Sequence, residues 1–348
     1  MVGQRFVSLL EGHPWFKVTA LAASSRSAGR LYGEIMEKGW MLANPMPKEV
    51  AGMTVLDATA DIDKIVGLVD FVFCAVDMPK PETRALEEAY AKAECPVVSS
   101  NSALRGEPDV PMIIPEINPE HAEVIAAQRV RLGTKRGFVT VKSNCSIQSY
   151  VPALHPLMKF GIKNVTVCTY QAISGAGKTF ETWPEMVDNV IPFIGGEEEK
   201  SEREPLRIWG AVKDGKIVDA TSPNITAQCI RVPVTDGHMA AVFVSFEQKP
   251  TLDDIKKLWN EFEGESQRLK LPSAPVKFLH YFEEENRPQT RIDREIENGM
   301  AASIGRLRAD TSGQYDIKFV SLSHNTLLGA AGGSVLTAEL MAAKGYMD

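Results

Sequence analysis

FVFCAVDMPKPETRALEEAYAKAECPVVS, residues Phe71 to Ser99, is the stretch that decides the fold. Phe71–Val76 is a short apolar run of strand type, and Val97–Ser99 is another. Between them Pro79–Lys92 opens on prolines and carries apolar residues at helical spacing, which predicts a helix. Strand, helix, strand in this rhythm is the mark of a parallel α/β sheet. Upstream, Val18–Ala23 is a further strand candidate and Val55–Leu56 a weaker one.

Downstream the pattern changes. Val165–Ile173, Ile225–Pro233 and Met239–Glu247 are longer, partly alternating and β-branched, as in a mainly antiparallel sheet. Pro250–Glu263 predicts a helix with Thr251 as N-cap and acids in its first turn. Ala301–Leu307 and Tyr315–Ser321 add two strands, and the Gly- and Ala-rich Asn325–Gly345 ends as a helix expected to pack back on the first domain. The expected fold class is α/β, a Rossmann-like dinucleotide-binding domain followed by an α+β catalytic and dimerisation domain. The first domain is expected over 1–143, completed by 324–348, and the second over 144–323.

The 348 residues are enough for two domains. A formal net charge of −7 offers no basic field to a nucleic-acid backbone, so an anionic substrate must be held by a few placed Arg and Lys side chains. No apolar run approaches the roughly 20 residues of a membrane span, and the N-terminal residues do not have the pattern of a signal peptide. The five cysteines have neither paired nor CxxC spacing, which argues for a reducing compartment and a cytoplasmic protein.

The first ten residues, Met1 to Leu10, already read as a helix with one apolar face. A dinucleotide-binding domain is expected to start one strand and one glycine-rich turn earlier, and only Gly3 stands where the last glycine of that turn would. The expectation is that roughly ten residues of strand and turn are lacking, and that cofactor binding suffers for it.

Ser143-Asn144-Cys145-Ser146-Ile147-Gln148 carries the strongest chemical signal. It follows the strand Phe138–Val141 and leads into an apolar-periodic segment, Ser149–Met158, read as a helix. A cysteine at a strand-to-helix turn lies near a helix N-terminus, where the dipole and free N–H groups favour the thiolate. Only Cys145 among the five is so placed. A thiol nucleophile needs a base, and His238 stands out among six histidines. It follows Asp236-Gly237, read as a turn between two strands, seven residues after Arg231, and both side chains can enter one cleft. His13, His121, His155 and His280 sit in polar or helical contexts and read as structural or exposed.

Asn144-Cys145-Ser146 before a helix, Gln171 in Tyr170-Gln171-Ala172-Ile173-Ser174-Gly175-Ala176-Gly177, and Arg231 seven residues before His238 together resemble the aspartate-semialdehyde dehydrogenases. Gly195-Gly196-Glu197-Glu198-Glu199-Lys200 and Asn325…Gly329-Ala330-Ala331-Gly332 fit as well. The likeness spans nearly the whole chain and is nearest the branch found in archaea, fungi and some bacteria. It implies a second domain like that of glyceraldehyde-phosphate dehydrogenase. The implied reaction is NADPH-dependent, reversible reduction of 4-phospho-L-aspartate to L-aspartate 4-semialdehyde, feeding lysine, threonine, methionine and isoleucine synthesis.

By the same resemblance Cys145 forms the thioester, His238 is the acid/base, and Gln171 orients the acyl group. Arg231 grips the substrate carboxylate and Glu197 meets its ammonium. Asn101, Arg105, Asn144 and Lys200 hold phosphate, while Glu198 and Glu199 read as a solvated helix face. Ser174, Gly175, Ala176, Gly177 and Asn325 would lie near the nicotinamide. Ser24, Ser25, Arg26 and Ser27 follow the second strand of the domain, where an NAD-selective fold places an acid, so hydroxyls and an arginine favour NADP. The family implies a homodimer or homotetramer acting on small molecules. A malonyl-CoA reductase with the same thiol chemistry is the alternative, and a non-catalytic remnant is another. N-acetyl-glutamyl-phosphate reductase does not match the Asn144-Cys145-Ser146 context, and glyceraldehyde-phosphate dehydrogenase shares the logic but not the spacing.

Overall fold

The computed structural model describes residues 1–348. Helix α1 (Val2–Leu9) opens the chain and is followed by β1 (Leu21–Ala23), β2 (Val55–Asp57) and β3 (Val72–Cys74). Helix α2 (Lys80–Lys92) carries Pro81 at its second position, where a missing N–H costs nothing, and buries Leu86, Tyr90 and Ala91. Then come β4 (Val97–Ser99), β5 (Met112–Ile113), α3 (Ile125–Leu132) and β6 (Val139–Lys142). Four of these strands form one parallel sheet in the order β3-β4-β6-β5, which accounts for their near-continuous apolar character.

The sheet is interrupted. β1 pairs only with β2, and β3 only with β4, so each presents a free edge. An apolar cavity of about 420 Å³ is shared by both edges and by α1, with Phe6, Val7, Leu21, Ala22, Phe71 and Phe73 among its walls. No strand of this chain joins the two pieces.

The second part is built on β7 (Ile162–Gln171), and α4 (Glu197–Ile208) lies against it through the strand beside it. A small ribbon, β8 (Ala211–Lys213) and β9 (Lys216–Val218), leads to β10 (Asn224–Arg231) and β11 (His238–Phe246). Helix α5 (Leu252–Glu261) starts at Thr251, whose hydroxyl accepts from the Asp254 amide while Asp254 returns the bond, as the acidic first turn predicts. β12 (Leu279–Tyr281), β13 (Ala302–Ala309) and β14 (Ile317–Ser323) complete a six-stranded sheet in the order β10-β7-β11-β14-β13-β12. The sheet is mixed: β10 runs parallel to β7 and β12 to β13, the other pairings being antiparallel. The last helix, α6 (Gly332–Ala343), packs on α1, β4 and β6.

Two expectations are corrected. β10 and β11 do not form a hairpin around Asp236-Gly237, because β7 lies between them. The segment after Cys145 is not one helix. It breaks into a 3₁₀ turn at Ile147–Ser149, an α-turn at Val151–Leu154 and a 3₁₀ segment at His155–Phe160. Pro152 and Pro156 each restart the coil, since proline cannot donate to the preceding turn.

Trp259 anchors the second core. It is fully buried, lies edge-on to Phe319, and donates its indole N–H to the Ala153 carbonyl at 2.7 Å. Trp259→Ala is expected to cost about 3–5 kcal/mol in guanidinium unfolding. Trp259→Phe, which strands the carbonyl, should cost about 1–3 kcal/mol.

Candidate active site

The ends of three adjacent strands meet. Gln171 closes β7, Arg231 closes β10, and His238 opens β11. Arg231 is the register partner of Gln171 across the parallel pair, and Met239 is the partner of Tyr170 across the antiparallel one. The six-residue crossing from Val232 to Gly237 passes over the end of β7. It is tied to the loop beyond β7 by Ile173 N–H to Val234 O and Ser174 N–H to Thr235 O. Arg231 and His238 are thereby fixed on either side of Gln171.

Cys145 lies three residues beyond Lys142, the end of β6. Its Sγ lies 3.5 Å from His238 Nε2. His238 Nδ1 accepts the Ala172 N–H at 3.1 Å, so the neutral ring carries its proton on Nε2, facing the sulfur. Burial, and then the Arg231 charge, hold the His238 basicity down to about 3. The thiol is not activated as its sequence position predicts. Burial and then the nearby Glu197 carboxylate push Cys145 up to about 11, against the opposing pull of Arg105, Arg231 and Lys142. The broken helix supplies little to oppose this, because a four-residue turn has almost no macrodipole to offer.

Two glycines make room for this pair. A Cβ on Gly175 would stand 3.0 Å from Arg231 Nη1 and from His238 Nε2, and one on Gly329 would stand 3.0 Å from Cys145 Cβ. Gly329 belongs to a π-helical turn, Leu327–Ala331, at the head of α6. Such turns often mark functional sites.

Glu197 is buried and collects Asn144 Nδ2 at 3.0 Å, Gln171 Nε2 at 3.3 Å and Lys200 Nζ at 2.9 Å. Arg231 gives one bond, to Ala172 O at 2.7 Å, leaving the rest of its fork free for a carboxylate. Arg105 reaches Glu204 at 2.9 Å and Ser100 O at 3.2 Å. Asn101 instead turns its amide toward Glu87 and Cys74, at 3.1 and 3.3 Å. Asn325 is a brace: it accepts the Gly237 N–H and donates to Ser174 Oγ, which pins the His238 approach to the loop after β7. Glu199 is exposed as expected, but Glu198 accepts from Gln228 and the Cys229 amide.

Sequence reasoning missed Glu204. It accepts the Asn144 N–H at 2.5 Å and one Arg105 N–H at 2.9 Å, linking Arg105 to the Cys145 turn. The signal was available: Glu197, Ser201, Glu204 and Ile208 follow a helical 4-3-4 spacing on the buried face of α4.

For a dinucleotide, Ser24, Ser25 and Arg26 are exposed just past β1, beside the half-exposed Ser27. Asp57, at the end of the neighbouring strand, spends a carboxylate oxygen on the Thr59 and Ala60 amides of its own turn. The donor set therefore fits a phosphate-bearing ribose. Gly3 lies on the cavity wall, with no atom within 4 Å of where a Cβ would stand, and Ala176 and Gly177 continue the loop that begins at Ser174.

Two family descriptions match the chain: semialdehyde dehydrogenase, NAD binding domain, over 1–125, and semialdehyde dehydrogenase, dimerisation domain, over 154–328. An aspartate-semialdehyde dehydrogenase of Methanothermobacter thermautotrophicus is 44% identical, covering 98% of this chain and 96% of that protein. One from Schizosaccharomyces pombe is 41% identical over 99% and 96%. The crystal structure of aspartate semialdehyde dehydrogenase with NADP from Candida albicans superposes with a TM-score of 0.87, at 35% identity over 99% of this chain and 96% of that one. With archaeal and fungal relatives matching at this level along almost their full length, the chain belongs to the aspartate-semialdehyde dehydrogenase family.

Proposed function

We propose that this chain interconverts 4-phospho-L-aspartate and L-aspartate 4-semialdehyde, with NADPH and NADP⁺, through a thioester on Cys145. The observation that carries the reading is the Cys145–His238 contact at 3.5 Å, set beside the Gln171–Arg231 register pair. NADP supplies or accepts the hydride when bound, with Ser24, Ser25, Arg26 and Ser27 as its ribose-phosphate contacts and the Ser174–Gly177 loop near its nicotinamide. The cofactor domain comprises 1–143 with 324–348, and the substrate domain 144–323.

The roles follow from the charges. Arg231 takes the substrate carboxylate with its free donors, a fork that lysine cannot copy. That carboxylate also offsets the cation that keeps His238 from accepting a proton, so substrate binding raises the basicity of the ring. In the semialdehyde direction the sulfur adds to the aldehyde carbon as the thiol proton passes to the aldehyde oxygen, with the His238 Nε2–H facing the reacting pair. The thiohemiacetal then loses its hydroxyl proton to solvent, and its hydride would pass to bound NADP⁺, leaving the thioester. Phosphate, held by Arg105 with Lys200 and Asn144, attacks the thioester and releases the thiol. Glu197 receives the substrate ammonium, which also relieves the negative charge that holds the thiol protonated.

Homodimerisation is proposed through the outer face of the six-stranded sheet. On that face Tyr170 is exposed and Cys168 and Phe243 are half-buried, and Val190 and Phe193 are exposed on either side of Ile191, which bridges to Arg231 of β10. No helix is long and apolar enough to cross a membrane. The reducing environment that five free thiols prefer supports a cytoplasmic site.

Steady-state NADP⁺ reduction by L-aspartate 4-semialdehyde should require inorganic phosphate. Phosphate-independent turnover, or activity only with malonyl-CoA, would replace this reading with the reductase alternative. Cys145→Ala should lower turnover by about 10⁴-fold or more with an unchanged circular-dichroism spectrum. Arg231→Lys should raise the semialdehyde KM about 10- to 100-fold, the worth of a lost charge-assisted hydrogen bond.

A further inference from the structure

Lys142 is an unusual residue to find where it is. It ends β6, three positions before Cys145, and is only 2% exposed. Its one hydrogen bond is a long one, 3.4 Å to Ser143 Oγ. Buried lysines are ordinarily paired with a carboxylate, because an unpaired ammonium in a protein interior is costly. This one is given space instead. A Cβ on Gly333 would lie 2.2 Å from Lys142 Cε, so the glycine is a notch through which the side chain passes. Gly329, one turn earlier on the same element, is the notch for Cys145. The head of α6 thus seats the nucleophile and the lysine side by side.

We propose that Lys142 is a positioning residue for the reaction: its buried amine, seated in the Gly333 notch beneath the Cys145 turn, balances the negative charge that forms on the sulfur. The inference rests on Cys145 being the nucleophile. The charged groups facing Lys142 are Arg105, Glu116, Glu204 and Cys145 itself. Burial, and then Arg105, lower its basicity to about 7, and a charge on either Lys142 or Cys145 is felt by the other. Glu204 is already engaged by Arg105 and the Asn144 amide, and Glu116 by Ser266. While the amine is protonated it favours the charged form of the sulfur, and once it is neutral that support is lost. Lys142 thereby supplies a thiolate fraction that an isolated buried thiol would lack.

The test is the pH profile of Cys145 alkylation by iodoacetamide, an uncharged reagent, followed at the Cys145 peptide by mass spectrometry. This readout does not depend on turnover, so it separates Lys142 from the assignment of the reaction. The unmodified protein should show an inflection near pH 7. Lys142→Met should lose it and react about tenfold or more slowly at pH 7, having no cation to stabilise the thiolate. Glu116 is the other buried group near that range, at about 6, so Glu116→Gln should keep the inflection. Superimposable profiles for Lys142→Met and the unmodified protein would overturn the proposal, as would loss of the inflection in Glu116→Gln alone. If Lys142→Met does not fold, absence of the inflection in the unmodified protein overturns it by itself.

Discussion

The site depends on one topological constraint, the parallel pairing of β10 with β7 while β11 runs antiparallel on the other side. β7 lies between β10 and β11, so the chain must cross the end of β7 to pass from one to the other. That crossing holds Arg231 and His238 apart by one strand, with Gln171 between them. In the proposed reaction the substrate carboxylate, the acyl group and the acid/base would then have separate seats at fixed spacing. Asn325, Gly175 and the backbone bonds of Ile173 and Ser174 all maintain this crossing. None of them needs to touch a reacting atom to matter.

The second organising feature is charge held in reserve. The resting site is not activated: the thiol is pushed up, the imidazole is held neutral, and Glu197 collects three donors. In the proposed reaction the substrate would offset the charge part of these shifts, while burial, the larger cause, remains. A carboxylate at Arg231 would counter the cation opposing His238, and an ammonium at Glu197 would counter the anion opposing Cys145. Low dielectric makes these exchanges large compared with the same contacts in water. A site arranged this way keeps its cysteine protonated, and so less reactive, until the substrate arrives.

Much of the fold was legible in the sequence because parallel strands buried on both faces read as short apolar runs. Phe71–Val76 became β3 (Val72–Cys74), and Thr251 capped its helix as the acid-rich first turn required. The segment after Cys145 misled because its apolar periodicity is genuine, while Pro152 and Pro156 divide it into turns too short for a dipole. The Asp236-Gly237 turn misled for a different reason. Local turn chemistry is the same whether the flanking strands are neighbours or are separated by a third, and only the sheet order decides. Glu204 lay within reach of helical spacing. Lys142 did not, because a charge at a strand end ordinarily points to solvent, and the notch that admits it lies far along the chain at Gly333.

The most direct measurement is a single-turnover reaction of the protein with L-aspartate 4-semialdehyde and NADP⁺ in the absence of phosphate. The mechanism requires the acyl group to stop on the sulfur. It predicts a burst of about one NADPH per chain, an aspartyl adduct confined to the Cys145 peptide, and release of that adduct when phosphate is added. Continued turnover without phosphate, or a burst with no adduct on Cys145, would contradict the account.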